Sequence, residues 1–291
     1  MTRTDFSMDL KNKNILITGG SMGIGLATAR ICLQRGGKVA ICARNQNDID
    51  KAVATLQQEG HRDLLGLRAD VTKENEINHA LDQIASHFGP LTSLIHAAGV
   101  YGTIGPITQV NPDEWFEAVK INLFGSFLVA RQSCLHFQKN GGGRLVLFSG
   151  GGAASPFPNY TSYACSKTAI ARLAETIAQE MAPFQIEVNC LGPGFVLTRL
   201  HQQTLAAQEL AGKEFLEKTK GEIAKGGVPA EVGASAAAFL ISDNAKGITG
   251  KFIAAPYDNW KSFPERLDEL KKNDIFTLRR IVPKDRGMDW Q

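Results

Sequence analysis

The chain has 291 residues, 43% of them hydrophobic and 21% charged, which is ordinary for a globular protein. Its formal net charge is +3 with no basic stripe, so we expect no nucleic-acid partner. No run approaches the roughly 18 apolar residues of a membrane span, and no apolar signal segment opens the chain. The five scattered cysteines include no CxxC pair. We therefore expect a cytoplasmic protein with reduced thiols, no metal site and no membrane partner.

Seven short apolar runs alternate with segments of helical periodicity. The runs are apolar almost throughout, as is typical of strands covered on both faces. This alternation predicts an α/β fold: a single domain built on a doubly wound parallel sheet of about seven strands, a Rossmann fold with right-handed crossovers. The predicted strands are residues 14–18, 38–43, 64–69, 93–98, 144–149, 186–191 and 251–255.

Two segments fall outside this alternation, although no linker or repeat divides residues 1–291. Residues 199–228 are polar and helix-prone, and we expect an insertion on the substrate side, because ligands bind at the carboxyl ends of parallel strands. Residues 256–291 form a C-terminal tail beyond the last strand. The sequence leaves open whether this tail packs on its own domain, on a neighbouring subunit or over the site.

The first predicted strand ends in the glycine-rich stretch "TGGSMGIG" and leads into a helix. Glycines let the backbone approach a pyrophosphate closely, and a helix N-terminus offers N–H groups and a favourable dipole. The spacing differs from the G-x-G-x-x-G fingerprint, but the strand before it and the helix after it favour a dinucleotide site. The predicted contacts of this turn are Gly19, Ser21, Met22, Gly23, Ile24 and Gly25.

The end of the second strand indicates which dinucleotide is bound. An NAD site needs a carboxylate there, whereas an arginine accommodates the 2′-phosphate of NADP. Here Arg44 ends the strand and no acid appears before Asp48, so the sequence predicts NADP(H) more than NAD(H). We expect the adenosine to lie against the residues that follow the third and fourth strands, namely Asp70, Val71, Ala97, Ala98 and Gly99.

Five motifs stand in a familiar order: "TGGSMGIG", "HAAG", "INLFG", "YACSK" and "VNCLGPGFVLT". On these motifs the chain resembles the short-chain dehydrogenase/reductase family over roughly residues 10–255. The resemblance implies an oxidoreductase that transfers a hydride between nicotinamide and a small-molecule carbonyl or secondary alcohol. It also implies a homodimer or homotetramer built through the helices at 112–139 and 161–182.

Tyr163 and Lys167 lie one helical turn apart in "YACSK". A phenol titrates near pH 10, and an ammonium group on the same helical face favours the phenolate. Tyr163 can therefore donate a proton to a carbonyl oxygen or remove one from an alcohol. The resemblance implies that Lys167 also binds the nicotinamide ribose and that Asn122 helps to hold Lys167 through water. It further implies a nicotinamide-side loop formed by Pro193, Gly194, Val196 and Thr198.

The chain departs from the family at His96, where an asparagine is usual. We expect this histidine to be a core residue, or one that supports a site residue without touching the ligand, rather than a catalytic base. The chain also departs at the catalytic serine, which usually lies thirteen positions before the tyrosine, and that position is Gly150.

Ser149 is the predicted catalytic serine, although it lies one position too early. On a strand, a shift of one residue points a side chain to the opposite face. The neighbouring glycines can form a bulge that re-aims Ser149 toward the site. The alternatives are that Ser155 or Thr161 substitutes for it, or that glycine N–H groups hold the oxyanion.

The sequence thus predicts an NADP(H)-preferring oxidoreductase whose substrate cannot be read from the residues. One alternative is an NAD-linked alcohol dehydrogenase of the same fold. Another is a weakly catalytic dinucleotide-binding sensor or interaction protein, suggested by the glycine at position 150. A third is an epimerase or dehydratase that retains its nicotinamide.

Overall fold

A computed structural model describes residues 8–290 of the chain. Its strands form one parallel sheet in the order β3-β2-β1-β4-β5-β6-β7, which confirms the predicted doubly wound architecture. The strand order switches direction at the centre of the sheet: β2 and β3 are added on one side of β1, and β4 to β7 on the other. The carboxyl ends of β1 and β4 open a crevice at this switch point. The strands are β1 (Asn14–Thr18), β2 (Lys38–Ala43), β3 (Leu64–Arg68), β4 (Ser93–His96), β5 (Gly143–Phe148), β6 (Ile186–Gly192) and β7 (Phe252–Ala254).

Helices cover both faces of the sheet. They are α1 (Gly23–Gln34), α2 (Gln46–Gln58), α3 (Glu74–Phe88), α4 (Pro112–Val119), α5 (Gly125–Lys139), α6 (Thr161–Glu180), α7 (Arg199–Ala207), α8 (Lys213–Ala224), α9 (Ala230–Ile241) and α10 (Leu267–Lys272). A π-helix, Lys120–Phe124, joins α4 to α5. Among the helices of residues 8–290, none combines the length and the apolar composition needed to cross a membrane.

The apolar strands bury side chains on both faces, which is why they read as continuous hydrophobic runs. In β1, Ile15 and Ile17 pack into the layer formed with α1, α2 and α9. Leu16, between them, packs into the opposite layer with α3, α5 and α6. Packed layers on both faces fix the position of the sheet, and the loops at its carboxyl edge are anchored to it.

The segment 199–228 forms α7, a short 3₁₀ turn (Gln208–Ala211) and α8. The tail folds back on its own domain along the outer edge of the sheet. The N–H of Phe252 in β7 donates to the carbonyl of Phe276 at 2.7 Å, and the N–H of Leu278 donates to Glu175 of α6 at 2.6 Å. Trp260 is 6% exposed and belongs to the main core, so the tail is an integral part of the fold.

Candidate active site

The glycine-rich turn after β1 leaves space that side chains would fill. Gly19 has φ +68° and donates its N–H to the carbonyl of Cys42 at 2.8 Å. A Cβ built on Gly19 would lie 2.7 Å from the nitrogen of Ala98, and one on Gly25 would lie 2.1 Å from the oxygen of Gly19. Helix α1 begins at Gly23, directly behind the turn. These features fit the pyrophosphate of a dinucleotide, which needs close backbone approach and a helix N-terminus.

A cavity of about 970 Å³ opens beside this turn. The structure brings most of the predicted coenzyme residues together in its wall, although they come from five separate stretches of the chain. These residues are Gly19, Ser21, Met22, Gly23, Ile24, Gly25, Arg44, Asp70, Val71, Ala97, Ala98, Gly99 and Thr198. The remaining predicted loop residues, Pro193, Gly194 and Val196, line an adjoining cavity of about 910 Å³ together with Ser149, Tyr163 and Lys167. Ile24, Gly99 and Thr198 belong to both walls, so the two cavities are continuous.

Arg44 lies exposed at the cavity rim, between the end of β2 and the start of α2. Asn45 caps α2, its side chain accepting the N–H of Asp48 at 3.2 Å. A second guanidinium is close by, because Arg68 of β3 donates to the main-chain oxygen of Arg44 at 3.3 Å. The rim at the end of β2 is therefore positively charged.

Asp70 lies across the same cavity. Burial alone would raise the pKa of Asp70, but hydrogen bonds from Thr72 and the charge of Arg44 outweigh it and hold the pKa below its usual value. Thr72 donates both its N–H, at 2.9 Å, and its hydroxyl, at 2.8 Å, to the same oxygen of Asp70. The carboxylate is thus fixed and ionised at neutral pH.

Tyr163 and Lys167 lie on one face of α6 and are buried, with 7% and 5% exposure. The ammonium of Lys167 lies 5.6 Å from the centre of the Tyr163 ring and donates to the carbonyl of Phe148 at 3.0 Å. Burial lowers the pKa of Lys167 to about 8, and burial raises the pKa of Tyr163. The phenol is therefore protonated at neutral pH, which is the form that can donate to a carbonyl oxygen.

Asn122 lies fully buried in the π-helix, an element often found at functional sites. Its amide pairs with both main-chain groups of Val100: the side chain donates to the carbonyl and accepts the N–H, each at 2.8 Å. It also donates to the hydroxyl of Ser166 at 3.1 Å. Asn122 therefore clamps the segment after β4, which carries Gly99. Its predicted link to Lys167 through water remains a prediction.

The structure does not turn Ser149 toward the tyrosine. Ser149 is 3% exposed, and its hydroxyl donates to the main-chain oxygen of Lys167 at 3.0 Å. A Cβ built on Gly150, in contrast, would lie 2.2 Å from the hydroxyl oxygen of Tyr163. Position 150 therefore faces the phenol, whereas the Ser149 hydroxyl is engaged by the main chain of α6. These contacts give no support to Ser149 as a catalytic residue.

The other two candidate hydroxyls differ in their surroundings. Thr161 accepts a hydrogen bond from the indole of Trp115 at 2.9 Å and faces away from the cavity wall. Ser155 is exposed at the mouth of the cavity. Neither contacts Tyr163 among the hydrogen bonds of residues 8–290.

His96 is a core residue, as predicted. It is fully buried, and its Nδ1 lies 2.7 Å from the hydroxyl of Thr18 on the neighbouring strand. Burial, reinforced by the charge of Lys167, lowers the pKa of His96 to about 3. The ring is neutral at physiological pH and ties β4 to β1.

Tyr101, which belongs to none of the sequence motifs, lies against Tyr163. The two rings meet edge to face, with centroids 4.8 Å apart at 86°. The available signal was its position two residues after Gly99, at the carboxyl edge of the sheet. Tyr101 belongs to an aromatic wall of the 910 Å³ cavity that comprises Tyr101, Phe157, Phe195, Phe215, Phe252 and Tyr257.

Comparisons with known proteins show the family of this chain. The sequence model of the family described as short chain dehydrogenase matches residues 13–209. The human protein "Dehydrogenase/reductase SDR family member 4" is 34% identical over 253 residues, which cover 87% of this chain and 88% of that protein.

Solved structures give the same result. A short-chain type dehydrogenase/reductase from Mycobacterium ulcerans superposes with a TM-score of 0.75 at 28% identity, covering 84% of this chain and 89% of that one. An NAD⁺-bound xylitol dehydrogenase has a TM-score of 0.77 at 25% identity, covering 84% of this chain and 98% of that one.

The fold and the site are those of a nicotinamide-dependent oxidoreductase. The chain belongs to the short-chain dehydrogenase/reductase family.

Proposed function

We propose that the protein is an NADP(H)-preferring oxidoreductase that interconverts an apolar or aromatic ketone and its secondary alcohol. The observation that carries this proposal is the Tyr163–Lys167 pair, buried in a cavity that is continuous with the dinucleotide cradle. A bound nicotinamide coenzyme supplies the hydride for reduction or accepts it during oxidation. The cradle of Gly19, Gly23 and Gly25 would hold its pyrophosphate.

The protein's own part of the reaction is proton transfer. Tyr163, protonated at neutral pH, donates its proton to the carbonyl oxygen in reduction and takes one from the alcohol in oxidation. The Lys167 ammonium stabilises the phenolate that remains after donation. The carbonyl carbon gains a hydride and its oxygen gains a proton, so one secondary alcohol forms for each ketone.

The preference for NADP(H) is supported by the rim at the end of β2. Arg44 and the nearby Arg68 provide positive charge, and the nearest acid along the chain from Arg44, Asp48, lies within the first turn of α2. A 2′-phosphate at this rim would meet a guanidinium that binds it with charge-assisted hydrogen bonds. The proposal is tested by measuring the dissociation constants of NADPH and NADH by quenching of tryptophan fluorescence. Tighter binding of NADH would contradict it.

The substrate class is supported by the aromatic wall. Phe157 stacks on Tyr160 with ring centroids 4.3 Å apart, and Phe215 of α8 packs edge to face on Phe157 at 4.7 Å. Such a wall favours apolar over polyhydroxylated substrates, because hydroxyl groups would lose their hydrogen bonds to water. We expect acetophenone to be reduced more efficiently than a ketose such as fructose, measured as kcat/KM from the loss of NADPH absorbance. The reverse order would overturn this assignment.

A homo-oligomer is supported by an apolar surface on α4, the π-helix and α5. Phe116 is 64% exposed, Phe124 44% and Phe127 41%, and the last two rings stack on each other. Burying these rings in a subunit interface would remove apolar surface from water. Light scattering on the wild type should give a dimer or tetramer, and Phe116→Glu with Phe127→Glu should shift it toward monomer. A monomeric wild type would refute the proposal.

A second candidate, a dinucleotide-binding sensor with little catalysis, is favoured by Gly150, which faces the phenol of Tyr163 and carries no hydroxyl. The two functions separate in one assay with acetophenone, cyclohexanone and ethyl acetoacetate. Consumption of NADPH with formation of an equal amount of alcohol supports the oxidoreductase. Tight NADPH binding without consumption of any of the three supports the sensor.

A further inference from the structure

The position that holds a serine in related proteins is Gly150 here, so no side chain at this position can hydrogen-bond the substrate oxygen. A second phenol lies close by. Tyr101 is 4% exposed, lines the same cavity as Tyr163 and contacts its ring edge to face. The two phenols thus line one cavity with their rings in contact.

The hydrogen bonds around Tyr101 have a defined direction. The main-chain N–H of Thr198 faces Nδ1 of His201 at 3.4 Å. Because a main-chain N–H can only donate, Nδ1 is the acceptor and the neutral ring carries its hydrogen on Nε2. Nε2 lies 3.4 Å from the hydroxyl oxygen of Tyr101. His201 therefore donates to this oxygen, and Tyr101 directs its own hydrogen away from His201.

The neutral ring of His201 and the protonated phenol of Tyr101 are the forms present at neutral pH. Burial lowers the pKa of His201 to about 4, so the ring stays neutral. Burial, with smaller contributions from Tyr163 and Tyr160, raises the pKa of Tyr101. Tyr101 is thus a donor that keeps its proton.

The main chain of Tyr101 is also held in place. Asn122 clamps both main-chain groups of the preceding residue, Val100, and the hydroxyl of Ser162 donates to the carbonyl of Tyr101 at 3.3 Å. A donor fixed before the substrate arrives needs little reorganisation during the reaction. The 3.4 Å contacts are longer than optimal, as is common before substrate binds.

We propose that Tyr101 is a catalytic residue that donates a hydrogen bond to the substrate's carbonyl oxygen beside Tyr163, and that His201 is the positioning residue that aims it. The inference rests on the proposed function. Tyr163 alone transfers a proton; Tyr101 donates a hydrogen bond and retains its hydrogen, so the balance of one hydride and one proton is unchanged. Tyr101, aimed by His201, takes the place of the serine hydroxyl that is missing at Gly150.

The test compares variants on whichever of acetophenone, cyclohexanone and ethyl acetoacetate the wild type reduces best. Tyr101→Phe keeps the ring and removes the donor, and we expect kcat and kcat/KM to fall together by about 100-fold, as for loss of an oxyanion donor. The matched control is Tyr160→Phe. It also removes a buried phenol hydroxyl, which is bonded to Thr204 at 2.9 Å and lies outside the cavity wall, and kcat should be unchanged.

Two variants of His201 separate positioning from packing. His201→Leu removes the donor to Tyr101 and should lower kcat by about 10-fold, the effect of one weakened hydrogen bond. His201→Gln places an amide donor near the position of Nε2 and should restore much of that loss. Equal losses in the two variants would mean that His201 acts only through packing.

NADPH affinity should be unchanged in Tyr101→Phe, which shows that the variant is folded.

A crystal structure with NADP⁺ and 1-phenylethanol provides a second measurement that does not depend on turnover. The alcohol oxygen should lie within about 3.2 Å of the hydroxyls of both Tyr101 and Tyr163. An oxygen that contacts Tyr163 alone, or a Tyr101→Phe variant with wild-type kcat, overturns the inference and leaves the proposed function intact. A wild type that reduces none of the three ketones overturns the proposed function itself.

Discussion

Replacing Gly150 by alanine tests the geometry of the catalytic loop. The added Cβ would lie 2.2 Å from the hydroxyl oxygen of Tyr163, 3.0 Å from Cζ and 3.3 Å from Cε1. Contacts below 3.0 Å are not sustained by real Cβ atoms, so the phenol or the loop must move by roughly 1 Å. The ring cannot yield easily, because Tyr101 packs against it at 4.8 Å and Phe157 at 6.3 Å.

A displacement of about 1 Å at a reacting group typically costs on the order of 100-fold in rate. We therefore expect Gly150→Ala to lower kcat/KM for ketone reduction by about 100-fold. Overpacking should also lower the free energy of unfolding by about 1–3 kcal/mol. Steady-state kinetics at saturating NADPH and urea denaturation measure the two effects.

The control is Gly151→Ala at the adjacent position. Its Cβ would meet Phe157 at 3.6 Å, an ordinary contact, so activity should stay within about two- to threefold of wild type, the spread expected of a substitution without a clash. Wild-type kcat/KM in Gly150→Ala would refute the reasoning, since it would mean that position 150 does not face the phenol. Equal losses in both variants would point to general disruption of the loop.

Three further predictions concern coenzyme choice, pH and stability. Arg44→Ala should weaken NADPH binding by about 10- to 100-fold, because a charge-assisted hydrogen bond is lost, and should leave NADH binding unchanged. Fluorescence titration measures both affinities, and equal weakening of both coenzymes would contradict the assignment. The value of kcat/KM for NADPH should fall as pH rises through about 8, because the Lys167 ammonium is charged below its pKa of about 8 and loses its charge above it. A profile that stays flat to pH 10 would show that the charge is not needed. Trp260→Ala should lower the free energy of unfolding, measured by urea denaturation, by about 3–5 kcal/mol, because the ring is buried in the core. A change below about 1 kcal/mol would mean that the tail does not pack on the core.

The fold was predictable because its strands are buried on both faces. Runs such as residues 14–18 and 38–43 are apolar almost throughout, and the structure reproduces their bounds. The tight turn after β1 was predictable for a related reason: glycines such as Gly19 and Gly25 have no room for a Cβ, so the residue type itself records the close approach of the backbone. The preference for NADP(H) and the roles of the site residues remain predictions.

The serine position could not be settled from the residues alone, because adjacent glycines permit several loop conformations. Only the folded structure shows that Ser149 faces the main chain of α6 while Gly150 faces Tyr163. The contact of Tyr101 with His201 joins residues 100 positions apart, on separate loops, and no local pattern predicts it. The packing of the tail on β7 is likewise a tertiary contact.

The most direct test of proton transfer by Tyr163 is the Tyr163→Phe variant, which keeps the buried ring and removes only the hydroxyl. Ketone reduction should fall to the detection limit, while the dissociation constant for NADPH stays within about threefold of wild type, since the pyrophosphate cradle is untouched. Turnover that persists at a substantial fraction of the wild-type rate, with product alcohol formed in step with NADPH consumption, would show that another group supplies the proton.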